Sequence, residues 1–384
     1  MNTAVARMTI PITKPLFGEE EEQAVIQVIR SGWVVQGPKV AEFERLVATY
    51  VGAGQAVATS SCTTALHLAL LLCGIGPDDE VIVPSLTFIA TANAVYYTGA
   101  TPVFVDIDPH TYNLDPDTLE AAMTPRTKAI MPVHQIGLAA DMDHINAVAQ
   151  RRGLAVIEDA APALGATYKG KRVGGLGNPT CLSFHPRKVI TAGEGGMILT
   201  DDEALAGRAR ILRTHGMSLS DLQRHQATSV TIEAYHDLGY NYRMSDLHAA
   251  VGIEQMKKLD LILRRREHIA SRYNEAFADL DYVQLPFSSS EMPHSYQSYM
   301  IQFRPQAPKS RDQVMQDLLE VGVATRRGVM AIHLEPYYRD RFPHVKLPVA
   351  ETAAQSTLLL PLYTTMTESE QDYVIEHLRT CLRS

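Results

Sequence analysis

A lysine and a nearby acid are the residues of this chain whose types and spacing best suit covalent chemistry. Lys188 ends the run 183–188, Ser-Phe-His-Pro-Arg-Lys, and the glycine-rich run 193–196 follows it. Because Pro186 cannot donate to a sheet ladder, we expect an apolar strand to end there and Lys188 to lie on a loop. The glycines before the next apolar run, 197–200, let the backbone turn close to a ligand. On this stretch alone, a surface lysine between two strands is an equal alternative.

The acid is Asp159, which ends the preceding apolar run at residues 155–159. In α/β sheets the carboxyl ends of the strands line the ligand crevice, so Asp159 is expected to face a ligand. A lysine that can bond to an aldehyde, and a carboxylate that keeps a pyridine nitrogen protonated, are what pyridoxal 5′-phosphate (PLP) requires. The pair therefore predicts a PLP site in which Lys188 and Asp159 are catalytic.

Three motifs occur in the order typical of one known family. Residues 158–161 (Glu-Asp-Ala-Ala), 183–188 and 193–196 (Gly-Glu-Gly-Gly) resemble those of the DegT/DnrJ/EryC1/StrS aminotransferases, from about Pro11 to the C-terminus. The resemblance implies a fold-type I PLP-dependent transferase that moves an amino group, with glutamate as donor, to a keto sugar on a nucleotide carrier. Lys188 would then hold the cofactor covalently and move a proton, while Asp159 keeps the ring nitrogen cationic.

The start of a predicted helix suits an anion. Residues 61–64, Ser-Cys-Thr-Thr, precede an apolar helical run, so their hydroxyls and free N–H groups could cradle a phosphate. Ser and Thr are also ordinary helix caps, so the pattern alone is weak. The resemblance places the PLP phosphate at Ser61, Cys62 and Thr63, with Ser183 assisting. The family often has glycine where Cys62 stands, which leaves the backbone donors open.

Two further cofactor contacts rest on the resemblance. Phe88 follows a predicted strand end and would stack on the pyridine ring, with plain core packing as the alternative. Asn241 would reach the PLP phosphate of the neighbouring subunit in a homodimer with shared active sites, unless it stabilises a turn in its own chain. The family commonly has Gln or His where this chain has Pro162, which cannot donate a hydrogen bond to the cofactor.

Substrate contacts are less sharply indicated. Arg243, His333 and Tyr337 are candidates for sugar or diphosphate contacts, because Arg suits phosphate and His and Tyr suit hydroxyls. His134 and His185 also follow strands, and we assign neither a role.

Composition excludes several classes of protein. The 384 residues are 46% hydrophobic, and a net charge of −8 argues against nucleic acid as a partner. The four cysteines show no CxxC spacing, so we predict no metal site and no disulfide. No apolar run reaches membrane-spanning length and no signal segment opens the chain, which indicates a cytoplasmic protein.

Short apolar runs alternate with helical segments from Val57 onward, at 56–58, 81–83, 103–105, 130–133 and 156–157. This alternation predicts an α/β fold with a mainly parallel sheet covered by helices. We expect a large PLP-binding domain with an N-terminal arm at residues 1–255, and a small C-terminal α+β domain at 256–384.

Three rival functions remain. A sugar dehydratase of the same superfamily is disfavoured by Lys188, since a histidine replaces that lysine in the dehydratases. A non-catalytic regulator that retains the fold is disfavoured by the intact Lys188, Asp159 and Ser183. A nicotinamide-dependent enzyme is disfavoured because no GxGxxG follows the first strand.

Overall fold

The fold was analysed in a computed structural model, which describes residues 8–218 and 232–383. The strands are β1 (Gln55–Thr59), β2 (Glu80–Pro84), β3 (Thr101–Val105), β4 (Thr127–Ile130), β5 (Ala155–Val156), β6 (Glu158–Asp159), β7 (Thr167–Tyr168), β8 (Lys171–Arg172), β9 (Thr180–Ser183), β10 (Gly196–Thr200), β11 (Val283–Gln284), β12 (Tyr299–Phe303), β13 (Arg326–Arg327) and β14 (Thr357–Leu360). The α-helices are α1 (Glu19–Ser31), α2 (Pro38–Val51), α3 (Cys62–Leu72), α4 (Ala90–Tyr97), α5 (Leu119–Ala122), α6 (Met142–Arg152), α7 (Glu203–Leu212), α8 (Asp246–Phe277), α9 (Arg311–Glu320), α10 (Pro336–Arg339), α11 (Pro348–Ser356) and α12 (Glu368–Cys381).

The predicted α/β architecture is confirmed, with one refinement of the sheet. Strands β3, β2, β4 and β5 are neighbours in that order and run parallel. A second group, β1-β10-β9-β6, joins them through a parallel bridge between Val133 and Asp159. Within that group β10 runs antiparallel to both β1 and β9, which the apolar pattern of the strands could not indicate.

Helices cover both faces of this sheet because its strands are apolar on both sides. In β2, Ile82 belongs to one buried cluster while Val81 and Val83 belong to the other. Helices α2, α6 and the first half of α8 pack on the Ile82 side, and α3, α4 and α7 pack on the opposite side. The sheet therefore forms the middle layer of three.

A smaller antiparallel sheet, β11-β12-β14-β13, follows in the chain. Its core contains the last turns of α8, with Tyr273 and Phe277, and Val374 of α12. Ile10 of the N-terminal arm lies in the same core and bridges to Val323. Helix α8 crosses the predicted boundary at residue 255 without a break, so that boundary stays a prediction.

No helix in residues 8–218 and 232–383 is long and apolar enough to cross a membrane.

Asp246 joins two helices that support the sheet. Its side chain is 1% exposed and accepts hydrogen bonds from three backbone N–H groups that begin α2: Gly37 at 2.8 Å, Val40 at 3.0 Å and Lys39 at 3.1 Å. These donors have no partner within their own helix, so a carboxylate from α8 satisfies them. The contact ties α2 to α8 at the point where the sequence enters α8.

We expect Asp246→Asn to lower the free energy of unfolding by about 1–3 kcal/mol, since an amide turns an N–H₂ group toward backbone donors. Urea unfolding of the PLP-loaded protein measures the change. The exposed Asp117, whose side chain is 85% accessible, gives the matched control Asp117→Asn, which should shift stability by about 0.5 kcal/mol or less. Equal stabilities of the two variants would contradict the role of Asp246.

Candidate active site

A cavity of about 650 Å³ lies where the carboxyl ends of the large sheet meet the small sheet. Its wall brings together seven of the residues that the sequence predicted, which come from separate strand ends and helix starts. They are Ser61, Cys62, Thr63, Phe88, Asp159, Ser183 and Lys188. The rest of the lining includes residues of the small sheet and its connections, at 297–298, 325–330, 359–360 and 362.

Asp159 ends β6 and is 4% exposed. Its Oδ2 accepts a hydrogen bond from Thr91 Oγ1 at 2.8 Å, and its Oδ1 accepts from the Ala161 N–H at 3.1 Å. Burial raises the pKa of Asp159, while those two hydrogen bonds and the charge of Lys188 act in the opposite direction. The carboxylate is thus fixed in orientation, and a cation beside it would relieve the cost of its burial.

Thr91 is a site residue that the sequence reasoning missed. It lies in the first turn of α4, three residues after Phe88, which stands just before the helix. That spacing was the available signal, but a threonine in an apolar helix is too common to be singled out.

Lys188 lies on the loop between β9 and β10, as predicted. The loop is closed by the Phe184 N–H, which donates to Gly195 O at 2.9 Å, and by Ala192 N–H, which donates to Phe184 O at 2.9 Å. Lys188 is half-buried at the cavity wall, and this burial lowers the pKa of its ammonium group. Cys62 and Asp159 act in the opposite direction, but the Cys62 thiol has its own pKa raised by burial. A lowered pKa makes the neutral, nucleophilic amine more accessible.

The start of α3 presents free N–H groups to the cavity. Ser61 is the N-cap, and its Oγ accepts from the Thr64 N–H at 3.2 Å. The first backbone bond of the helix is Ala65 N–H to Ser61 O, so the N–H groups of Cys62 and Thr63 precede the ladder. Gly196 of β10 crosses close by, and a Cβ there would come within 2.3 Å of the Ser61 carbonyl. Only glycine lets the strand reach this helix start.

Phe88 and Ser183 also face the cavity. Phe88 is 54% exposed, so the alternative of core packing is wrong for this chain. Ser183 is buried at the end of β9, on the wall between Lys188 and the α3 start.

The residues around the cavity fit PLP. A buried carboxylate suits the ring nitrogen, a half-buried lysine suits the aldehyde, and an accessible aromatic ring suits the pyridine face. The helix start with its free N–H groups and close glycine suits the phosphate.

Four predicted residues do not line the cavity within one chain: Asn241, Arg243, Tyr337 and His333. Asn241 is exposed and bridges to Thr214, and Arg243 lies in the same segment. Tyr337 is 53% exposed under the guanidinium of Arg341. The structure therefore does not bring Asn241, Arg243 or Tyr337 to Lys188 in its own chain.

His333 is 2% exposed and has both ring nitrogens partnered. Its Nδ1 lies 2.6 Å from Ser85 Oγ, and its Nε2 lies 3.2 Å from Glu351 Oε1. A ring enclosed in this way holds α11 and its neighbours together, and we do not retain it as a sugar contact.

The two histidines without an assigned role differ in position. His134 is fully buried, with its Nε2 2.8 Å from Glu158 Oε2 and its Nδ1 accepting from Ala140 N–H at 3.0 Å. His185 lines the cavity, and burial lowers the pKa of its ring. The first is a hydrogen-bonded core histidine, and the second belongs to the site.

Known proteins resemble this chain over nearly its whole length. Spore coat polysaccharide biosynthesis protein SpsC from Bacillus subtilis (strain 168) is 44% identical over 378 residues, which cover 97% of each chain. The solved aminotransferase TlmJ from Streptoalloteichus hindustanus is 34% identical with a TM-score of 0.89, over 97% of this chain and 99% of that chain. NtdA from Bacillus subtilis, solved with the bound cofactor PMP, is 35% identical with a TM-score of 0.84, over 95% of this chain and 82% of that chain.

The match to a family model spans residues 15–379 and therefore includes the cavity wall from both sheets. The motifs around Asp159, Lys188 and residues 193–196 lie within that span. The chain belongs to the DegT/DnrJ/EryC1/StrS aminotransferase family.

Proposed function

We propose that this protein transfers an amino group, from glutamate, to a keto sugar carried on a nucleotide. Its family consists of PLP-dependent sugar aminotransferases, and PLP is the cofactor. The observation that carries the proposal is that Lys188 and the buried Asp159 line the same cavity. Experiment must decide which nucleotide carries the sugar, which sugar is aminated and which amino donor is used.

In this proposal each part of the cofactor has its own residues. Asp159 pairs with the ring nitrogen, Phe88 stacks on the ring, and Lys188 holds the cofactor covalently. The first N–H groups of α3, at Cys62 and Thr63, bind the phosphate with the Ser61 and Ser183 hydroxyls. Bound PLP supplies an acceptor for the electrons left at the substrate carbon when its proton is removed.

Lys188 has a second role once its amine is released by the amino donor. The amine can then take a proton from one carbon and return it to another, which requires a pKa near the working pH. The burial that lowers the pKa of Lys188 favours this use. Thr91 and Ala161 each donate to one oxygen of Asp159, which orients the carboxylate and leaves lone pairs free for the N–H of the ring.

The substrate class is supported by the relatives and by the size of the cavity. SpsC is named for polysaccharide biosynthesis, and Helicobacter pylori PseC, with 26% identity and a TM-score of 0.91, is an aminotransferase of pseudoaminic acid biosynthesis. A cavity of about 650 Å³ suits a cofactor with part of a substrate, since ligand pockets commonly range over roughly 300–1,000 Å³.

The rival functions make different demands on the same residues. A dehydratase of this superfamily would need a histidine in place of Lys188, and the lysine is present on the cavity wall. A non-catalytic regulator would have no need for the cavity-facing pair that the structure retains. We place the protein in the cytoplasm, where nucleotide sugars are made.

Incubation of the PLP-loaded protein with glutamate and a panel of nucleotide-linked keto sugars tests the proposal. We expect one keto sugar to gain an amino group, detected by mass spectrometry, together with 2-oxoglutarate. Alanine and aspartate as alternative donors serve as the donor control. Amination of free sugars alone would contradict the nucleotide carrier. Loss of water without amine transfer would contradict the reaction itself.

We expect Asp159→Asn to retain PLP but to lower kcat roughly a hundred- to a thousandfold, because an amide cannot hold the ring nitrogen cationic. Cofactor absorbance and steady-state rates separate binding from turnover. The exposed Asp117→Asn serves again as the control. If Asp159→Asn turns over normally and only unfolds at lower temperature, Asp159 is a structural acid.

We further propose that the active site is shared between the two subunits of a homodimer. Asn241 is exposed on the surface and does not line the cavity of its own chain. An amide donates to a phosphate without adding charge, and a two-fold axis makes such a contact reciprocal. Each site would then take Lys188 from one chain and Asn241 from the other.

Mixing of inactive Lys188→Ala and Asn241→Ala subunits through unfolding and refolding tests this arrangement. Random pairing makes half of the dimers mixed, and each mixed dimer has one intact site, so activity should recover to about a quarter of wild type. Wild-type protein refolded in the same way sets the reference. A mixture as inactive as its two parents would place Asn241 in its own chain.

A further inference from the structure

Two arginines from distant parts of the chain face the same cavity. Arg187 precedes Lys188 on the loop after β9, and Arg326 lies on the edge strand β13 of the small sheet. The antiparallel register places Arg326 opposite Leu359, and Leu359 also lines the cavity. Both residues therefore line one cavity at the junction of the two sheets.

Neither guanidinium has a carboxylate partner among the described residues. Their neighbour Arg327, in contrast, forms an ion pair with Glu335 at 3.0 Å. Among the described residues of the cavity wall, four are Lys or Arg, and the acids are Asp159 and Glu194. Asp159 accepts hydrogen bonds from Thr91 and Ala161. The negative charge of Glu194 is close enough to His185 to oppose the lowering of the His185 pKa by burial. The cavity is thus locally cationic in a protein of net charge −8.

The backbone holds Arg187 in place from two sides. Its N–H donates to His185 Nδ1 at 3.2 Å, and its carbonyl accepts from Gln297 Nε2 at 2.6 Å. Burial, followed by the like charge of Arg326, lowers the pKa of Arg187. Two cations on the wall of one cavity repel each other, and a bound anion would offset that repulsion.

We propose that Arg187 and Arg326 form a binding subsite for a substrate oxyanion beside Lys188. A guanidinium presents two parallel donors, which match a carboxylate or a phosphate group. The anion site stands on the geometry alone, whereas its assignment to a substrate rests on the proposed function. Two sources share the required chemistry: the carboxylate of the amino donor and the diphosphate of the nucleotide carrier.

Titration of the PLP-loaded protein with succinate and with inorganic pyrophosphate, followed by calorimetry, tests the subsite without turnover. We expect Arg187→Gln and Arg326→Gln each to weaken binding of at least one anion by a factor of about 10 to 100, the size of a lost charge-assisted contact. The control Arg339→Gln removes an exposed arginine that does not line the cavity. Titration with succinamide, the neutral diamide of succinate, checks that binding depends on the charge of the ligand.

The pattern of losses decides the source of the anion. If only succinate binding weakens, the subsite binds the donor carboxylate. If only pyrophosphate binding weakens, it binds the diphosphate. If both weaken, the subsite binds the donor carboxylate in one half-reaction and the diphosphate in the other. Binding of both anions at wild-type strength by the two variants, or no binding by the wild type, overturns the subsite. If the Gln variants fail to fold, Arg187→Lys and Arg326→Lys replace them in the test. These variants keep the positive charge but lose the two parallel donors of the guanidinium, so they should bind the anions at intermediate strength.

These outcomes do not depend on the reaction. If mass spectrometry finds no aminated nucleotide sugar while the arginine variants lose anion binding, the proposed function fails and the subsite stands. If amination is found while anion binding is unchanged in both variants, the reverse holds.

Discussion

The burial of one carboxylate is the constraint on which this site depends. Asp159 is 4% exposed at the end of β6, where water cannot solvate its charge. Hydrogen bonds from the Thr91 hydroxyl and the Ala161 N–H replace part of the lost solvation, but burial still raises the pKa of Asp159. A buried acid of this kind is stabilised further by a cation, and the protonated ring nitrogen of PLP is such a cation. The large sheet, with helices on both faces, supplies the enclosed strand end on which that acid lies.

The small sheet completes a cavity that the large sheet only begins. Asp159 and Lys188 lie on the large sheet and its loop, whereas Arg326, Leu359 and Leu360 come from the small sheet. The cavity thus takes its lining from two parts of the fold, which the unbroken helix α8 joins. The local excess of cations on the cavity wall favours an anionic ligand even in a protein of net charge −8, since a cleft focuses the field of its own charges.

Much of the fold could be predicted from periodicity and from the ends of apolar runs. Strands are present near all five runs expected between residues 56 and 157, although β4 ends at Ile130, where its expected run begins. Lys188 lies on the loop that Pro186 and the glycines indicated. The direction of β10 could not be predicted, because a buried strand has the same composition whether it runs parallel or antiparallel. His333 and Tyr337 suited sugar hydroxyls by type, but the packing of α11 and Arg341 placed them away from the cavity.

The sequence by itself determined that Asp159 ends a strand, that Lys188 lies on a loop after a strand, and that Ser61 begins a helix. Each follows from local order, because a strand end or a helix start is defined by its own few residues. Only the tertiary structure decided that Phe88 is exposed, that Thr91 donates to Asp159 and that Arg187 and Arg326 line the same cavity. Those pairs are set by the packing of helices on a sheet and of one sheet against another. No local pattern encodes such contacts, since they depend on where distant segments of the chain come to rest.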